Sequence, residues 1–213
     1  MYGYCCRRVR TMPSSRAGGA QICPRTSSSL SLDKGKALRI REANLGDCTS
    51  VARVQVDSYR TAHAGILPQE YLAHFTYEEQ EQDWHDLLSA DQHDLLYVAE
   101  NDSGEIVGYA LGRAQGDQGT NYDSELVALH VRRPYQRQGI GQRLIAAVAE
   151  RLKQQGRQSL MLWVLDKNPA HSFYERLGGQ RFGEKPWVNN DEFWLDVQEV
   201  AYGWPDITSL LRS

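Results

Sequence analysis

The sequence predicts a single α/β domain built on a mixed sheet, and three observations carry that reading. Apolar residues recur at helical spacing in some segments and alternate with polar ones in others. The turn-forming run Asn101-Asp102-Ser103-Gly104 separates two strand-like stretches as a hairpin. A strand-like stretch, Leu126 to Val131, is followed by a helical one and then by a second strand-like stretch, Ser159–Leu165. Helices between strands that are partly hairpin-paired give an α/β fold. With 213 residues, 41% of them hydrophobic, the chain can bury a sizeable core.

Taken in order, Ala37–Glu42 alternates as a short strand. Asn44, with Asp47 three residues on, has the form of a helix N-cap and capping box, and the helix bearing Val51, Val54 and Tyr59 is expected to end near Arg60. His63 to Pro68 reads as a turn into a second helical region, Gln69–Leu88. Leu95–Glu100 and Glu105–Arg113 form the arms of the hairpin, and Gln115–Tyr122 is a polar, glycine-bearing loop. Beyond the central strand, Ile140, Leu144, Ile145, Val148 and Leu152 mark one face of a helix. The strand Ser159–Leu165, a helix containing Tyr174 and a last strand near Glu192–Val200 complete the domain.

Net charge is −3 but unevenly spread: residues 1–36 hold seven Lys or Arg against the single acid Asp33. That segment is rich in Ser, Arg and Gly, carries three of the four cysteines and shows no hydrophobic periodicity, so it is expected to be disordered. Three readings of it stay open: a leader without function, which is preferred, an organelle transit peptide, or a start codon placed too early. The domain proper, 37–213, is acidic, which argues against nucleic acid as a substrate and mildly favours a cationic amine, although ordinary solubility charge accounts for it as well. No apolar run approaches the ~18 residues of a membrane span, so the domain is expected to be soluble, without a membrane partner. A cytoplasmic location is expected, with organelle targeting by residues 1–36 the less favoured alternative. Cys48 stands alone in the domain, and His85 and His93 are eight residues apart, outside the usual metal-ligand spacings, so neither a disulfide framework nor a metal is expected.

The chemistry concentrates between Glu125 and Gln142. A strand runs through a basic turn into a helix, and at the junction lie Gly139 and Gly141, where backbone without Cβ atoms can approach a ligand. A helix start offers unpaired N–H groups and the positive end of a dipole, which suit a pyrophosphate, and Arg137 and the Gln138 amide could add donors. A dinucleotide fingerprint would need a third glycine where Leu144 stands, and a P-loop would need Lys-Ser/Thr where Gln142-Arg143 stands. What fits is Q/R-x-x-G-x-G/A, read as Gln136-Arg137-Gln138-Gly139-Ile140-Gly141. This resembles the acetyl-CoA signature of the GNAT superfamily of N-acetyltransferases. Asn168-Pro169-Ala170-His171-Ser172-Phe173-Tyr174-Glu175-Arg176-Leu177-Gly178 is similar to a second motif of that family, N-x-A-x-x-F-Y-E-x-L-G, in the family's order. The resemblance covers roughly residues 38–200. It implies a mostly antiparallel sheet with helices on both faces and acetyl-CoA as co-substrate. It places the coenzyme on Leu129, His130, Val131, Arg137, Gln138, Gly139, Ile140, Gly141, Gln142 and Asn168.

Acetyl transfer to an amine requires a neutral amine, a stabilised oxyanion and a protonated leaving thiolate. A lysine-like amine has a pKa near 10.4, so neutralising it at pH 7 costs roughly 4–5 kcal/mol. Glu125, fourteen residues before Gly139 on the strand that leads to the coenzyme, is the candidate base. The alternative is a surface carboxylate or an ion pair. Tyr174 is the candidate acid: the resemblance points to it, and its phenol could protonate the thiolate from the edge of the face bearing Ala170, Phe173 and Leu177. Asn168 before Pro169 reads as an N-cap, compatible with a coenzyme contact. Backbone groups of Leu129 to Val131 would pair with the pantetheine arm, one N–H serving the oxyanion. His130 is expected on the face opposite Glu125, Val127, Leu129 and Val131 and is read as packing. Tyr59, His63 and Trp84 are candidate walls for the acceptor. The run 57–68 resembles the Ser-Trp-Arg-x-x-Tyr-x-Gly-Leu-Leu-Pro stretch of one bacterial subgroup of the family. Gly179 stands where the family usually has Phe, which predicts a looser loop after the Tyr174 helix.

The expected activity is direct transfer in a ternary complex to a primary amine of a small molecule, by a monomer or homodimer. Transfer to a protein N-terminus or lysine, and a non-catalytic acyl-CoA sensor, are the rival readings.

Overall fold

The computed structural model describes residues 38–90, 94–187 and 197–211. Among these residues seven strands form one sheet: β1 (Arg39–Glu42), β2 (Asp94–Glu100), β3 (Ile106–Arg113), β4 (Glu125–Val131), β5 (Leu160–Leu165), β6 (Gln180–Pro186) and β7 (Gln198–Trp204). Their order is β1-β2-β3-β4-β5-β7-β6, antiparallel except where β4 runs parallel to β5. On one face lie α1 (Cys48–Ala62), α2 (Gln69–Ala73) and α3 (Tyr77–Ser89), on the other α4 (Ile140–Gln154) and α5 (His171–Arg176). The leader segment 1–36 and His93 lie outside the described residues.

The capping box forms as its residues require: Asn44 Oδ1 accepts from the Gly46 N–H and Asp47 Oδ2 from the Asn44 N–H, both at 2.9 Å. Asp47 also takes both terminal nitrogens of Arg41, at 2.7 and 2.8 Å, and Arg41 Nε reaches Glu100 at 2.5 Å. The Arg41 guanidinium holds the Asp47 carboxyl below the usual carboxylate range. One network thus ties β1, the start of α1 and β2 together.

Three elements depart from expectation. The helical region 69–88 is two helices, because Thr76 is extended and its hydroxyl accepts from the Glu79 N–H, starting a new helix at Tyr77. The last strand is Gln198–Trp204, displaced towards the C-terminus from the expected Glu192–Val200, of which 192–196 lie outside the described residues. β6 has no counterpart in the sequence reading. It is an edge strand with Arg181, Glu184 and Lys185 and a register shift between Arg181 and Gly183, so it shows no apolar alternation.

A bulge in β4 matters most for the site. Leu111 pairs with Ala128 but Gly112 pairs with Leu126, leaving Val127 as the extra residue. Leu126, Leu129 and Val131 pack with the α4 core, whereas Val127 and Ala128 pack with the α1 and α3 core. Strict alternation would have placed Glu125 and Val127 opposite His130. The bulge reverses the parity, so Glu125 and Val127 share the face of His130, while Leu129 and Val131 are on the other.

Candidate active site

β4 and β5 are in register at a single position, Glu125 opposite Met161. Past it the strands part, and among the described residues the backbone of β4 from Val127 onward is in no ladder with β5. At the far end of β4, Arg137 has φ 61° and Gly139 φ 77° just before the first turn of α4. These two left-handed residues bend the chain sharply into a 15-residue helix, whose positive end suits anionic oxygens. Nothing lies within 4 Å of where a Gly139 Cβ would be, so the constraint there is the backbone angle. Gly141 also serves packing: its Cβ would stand 3.3 Å from Phe173 Cζ, so its small size seats α4 against α5.

A groove of about 850 Å³ opens at this seat, between α4 and α5. Val131, Arg137, Gly139, Ile140, Gly141 and Gln142 of the expected coenzyme residues line it, with Phe173, Arg176 and Ser209 on the far wall. Leu129, His130, Gln138 and Asn168 are not among its lining. The Gln138 amide donates to the Pro134 carbonyl at 3.1 Å and braces the turn. Gln136 likewise donates to the Val131 carbonyl at 2.8 Å. Asn168 is buried, and its Oδ1 accepts from the Ala170 N–H at 3.0 Å. The capping oxygen therefore acts two residues ahead of the N-cap Ala170, and the helix proper begins at His171 rather than at Pro169.

Glu125 is half-buried at the start of β4, cross-strand from Arg113. Arg113 makes two bonds to Asp94, at 2.9 and 3.2 Å, and those bonds, with the charge of Glu125 in support, keep it more firmly protonated than usual. The approach to Glu125 is also anchored. Asp123 accepts from the N–H groups of Gln158 and Ser159 at 2.8 and 3.0 Å and from the Ser159 hydroxyl at 2.9 Å. Burial works against its charge, but these donors outweigh it and hold the carboxyl low.

Tyr174 is fully buried, packed against Phe173, Tyr202 and Trp204. The helical wheel had placed it at the edge of the buried face. The rings of Tyr202 and Trp204 from β7 enclose it, with Phe173 beside it on its own helix. Gly179 does not loosen the loop that follows. A Cβ there would lie 2.8 Å from Trp204 Cζ2 and 3.0 Å from the Tyr174 carbonyl oxygen, so the Trp204 ring takes the space of the absent side chain. The N–H groups of Gly178 and Gly179 close the end of α5 on the carbonyls of Glu175 and Tyr174.

Tyr59, His63 and Trp84 are each buried, at 1%, 0% and 2% exposure, so none presents a surface to solvent. Trp84 sits beneath β3, edge-on to Tyr109, and donates to Gln55 Oε1 at 2.6 Å. Tyr59 stacks on Phe75 with centroids 4.3 Å apart. His63 Nδ1 donates to the Tyr59 carbonyl at 3.0 Å, which leaves Nε2 as an unprotonated acceptor without a hydrogen-bond partner among the described residues. Burial pushes His63 down to about 4. His130 is pushed down to about 3 by burial and by the proximity of His63. Both imidazoles are therefore neutral at pH 7.

The face that carries Glu125 also gathers residues without a motif to announce them. Asp117 from the 114–124 loop accepts from Trp163 Nε1 at 2.8 Å and from Lys185 Nζ at 2.7 Å. Glu199 lies beside them, 2% exposed. They come from four separate segments, and only the strand pairing brings them together. Among the described residues no helix is long and apolar enough to cross a membrane.

A family model described as the acetyltransferase (GNAT) family matches residues 59–179. An uncharacterized N-acetyltransferase of Bacillus subtilis (strain 168), YuaI, is 36% identical over 172 residues, 80% of this chain and 95% of that protein. The PaiA N-acetyltransferase of Thermoplasma acidophilum, in complex with coenzyme A, superposes with a TM-score of 0.63 at 17% identity, covering 79% of this chain and 99% of that one. A ribosomal-protein-alanine N-acetyltransferase of Brucella melitensis gives a TM-score of 0.60 at 23% identity, over 78% and 98% of the two chains.

Proposed function

Since the chain belongs to the GNAT family of acetyl-CoA-dependent N-acetyltransferases, we propose that it moves the acetyl group directly to a primary amine of a small molecule within a ternary complex. The observation that carries this reading is the parting of β4 and β5 directly after Glu125 and Met161. The groove at the start of α4 is on one face of that gap and Glu125 is on the other. Coenzyme and acceptor can thus meet through the sheet from opposite faces, as direct transfer requires.

In this reading the N–H groups around Arg137 to Gln142 hold the pyrophosphate, and the unpaired edge of β4 receives the pantetheine arm as an added strand. Acetyl-CoA supplies the activated acetyl group. The chain's own residues manage protons and charge. Glu125, steadied by Arg113 and by the anchored 123–124 segment, takes the proton of the incoming ammonium. A β4 N–H near Leu129 to Val131 donates to the carbonyl oxygen as charge develops there. The Tyr174 hydroxyl returns a proton to the departing sulfur, its buried setting keeping bulk water from that transfer.

A panel of mono- and diamines, amino acids and peptides, each incubated with acetyl-CoA and followed by thiol release, tests the proposal. Turnover with small amines and none with peptides is the expected result. Turnover confined to peptide N-termini or lysines would reassign the acceptor.

A further inference from the structure

Lys185 occupies a place on the Glu125 face that is built to hold an ammonium. Its Nζ lies 3.6 Å from the centroid of the Trp163 ring, 2.7 Å from Asp117 Oδ2 and 4.0 Å from Glu199 Oε2. Asp117 is aimed by the Trp163 indole N–H, which donates to the same oxygen at 2.8 Å. An aromatic face with carboxylates around it is the set of groups that recognises alkylammonium ions. We infer that Asp117, Trp163 and Glu199 form an ammonium subsite of the acceptor cleft and that Lys185 fills it, which makes Lys185 a specificity-determining residue that excludes acceptors with a second cationic group. The inference rests on the acetyltransfer reading for its location and adds the substrate class.

Strand pairing places the subsite. Met161, the β5 partner of Glu125, precedes Trp163 by two residues, so the two side chains share a face. Leu165 pairs with Glu199 and Glu199 with Lys185, which carries that face on across β7 to β6. The subsite therefore lies along the Glu125 face, beside the gap between β4 and β5.

Its shelter distinguishes it from an incidental ion pair. On the same edge strand, Arg181 and Glu184 pair with side chains 55% and 60% exposed, a setting in which an ion pair contributes little. Lys185, Asp117 and Glu199 are 24%, 21% and 2% exposed. The lysine reaches the subsite on a four-carbon stem from an edge strand, so truncation removes the ammonium and leaves the cage walls in place.

The test compares butylamine with 1,4-diaminobutane, by calorimetric binding to the full chain saturated with coenzyme A and by kcat/KM with acetyl-CoA. Lys185→Ala is expected to raise the diamine-to-monoamine ratio about tenfold or more, through Kd and KM rather than kcat, as an ammonium on a desolvated Trp face gives. Adding Asp117→Asn to Lys185→Ala should cancel the gain. Lys185→Ser replaces Lys185→Ala should the latter not fold. An unchanged ratio in the folded variant overturns the inference, as does a gain that survives Asp117→Asn. Tighter diamine binding in the Lys185 variant without turnover of any amine would support the subsite and overturn the acetyltransfer reading alone.

Discussion

The two faces that meet at the gap between β4 and β5 are made in different ways. The proposed coenzyme face comes mainly from one continuous run, Val131 to Gln142, in which strand, turn and helix follow one another. Its specificity lies in backbone N–H groups and two left-handed residues, so a short motif is enough to encode it. The proposed acceptor face draws Glu125 from β4, Asp117 from a loop, Trp163 from β5, Lys185 from β6 and Glu199 from β7. Its specificity lies in side chains brought together by pairing. A fixed ligand can be met by a local pattern, whereas a variable acceptor is met by residues that can change one at a time without disturbing the ladder.

The sharpest test of that division is Tyr174→Phe, which removes one hydroxyl from a packed aromatic cluster. A kcat lower by ~10²–10⁴ with little change in KM for acetyl-CoA is expected for a positioned general acid. A kcat within threefold of wild type would leave Tyr174 as packing alone.

Next in size is Glu125→Gln, which keeps shape and removes the base. Its rate should fall by ~10²–10³ at low and neutral pH and recover as the pH nears the amine's own pKa, near 10.4 for a lysine-like amine. A loss uniform across pH would assign Glu125 to binding or to structure with Arg113.

On the coenzyme face, Gly139→Val forces a β-branched residue to φ 77°. Acetyl-CoA binding should weaken roughly ten- to hundredfold, because a left-handed residue with a Cβ costs about 1–2 kcal/mol and branching adds to it. Thermal stabilisation by acetyl-CoA reports the change, and an undiminished shift in the folded variant would move the pyrophosphate elsewhere.

A smaller effect separates the buried imidazoles from the chemistry. His63 and His130 are neutral in the fold, with values pushed down to about 4 and about 3, and titrate near 6.5 once unfolded. The unfolded chain therefore binds more protons in between. Their stabilisation is full above about pH 6.5 and is lost as pH falls through about 4 and about 3. His63→Phe should flatten the decline in Tm between pH 7 and pH 4. The same slope in variant and wild type would contradict the burial argument.

Smallest of all, Trp84→Phe removes one buried donor to Gln55 and should cost about 1–3 kcal/mol of stability while leaving the KM for amine unchanged. A raised KM in a chain of full stability would return Trp84 to the acceptor wall.

What the sequence determined by itself is local. The capping box at Asn44 and Asp47, the strand-turn-helix around Gly139 and the apolar stripe of α4 each follow from residues within a few positions of one another. Helical period, cap chemistry and glycine angles act at that range, so these could be read directly. Tertiary structure decided the rest. The bulge at Val127, visible only in the pairing of β4 with β3, sets which face Glu125 occupies. The polar edge strand β6 exists because β7 offers it a ladder, and Lys185 meets Asp117 and Trp163 only through that pairing. Burial of Tyr174 and Trp84 depends on rings supplied from β7 and β3. The physical reason is range: a backbone conformation is set by near neighbours, but a side chain's face, burial and partners are set by contacts between segments far apart in the chain.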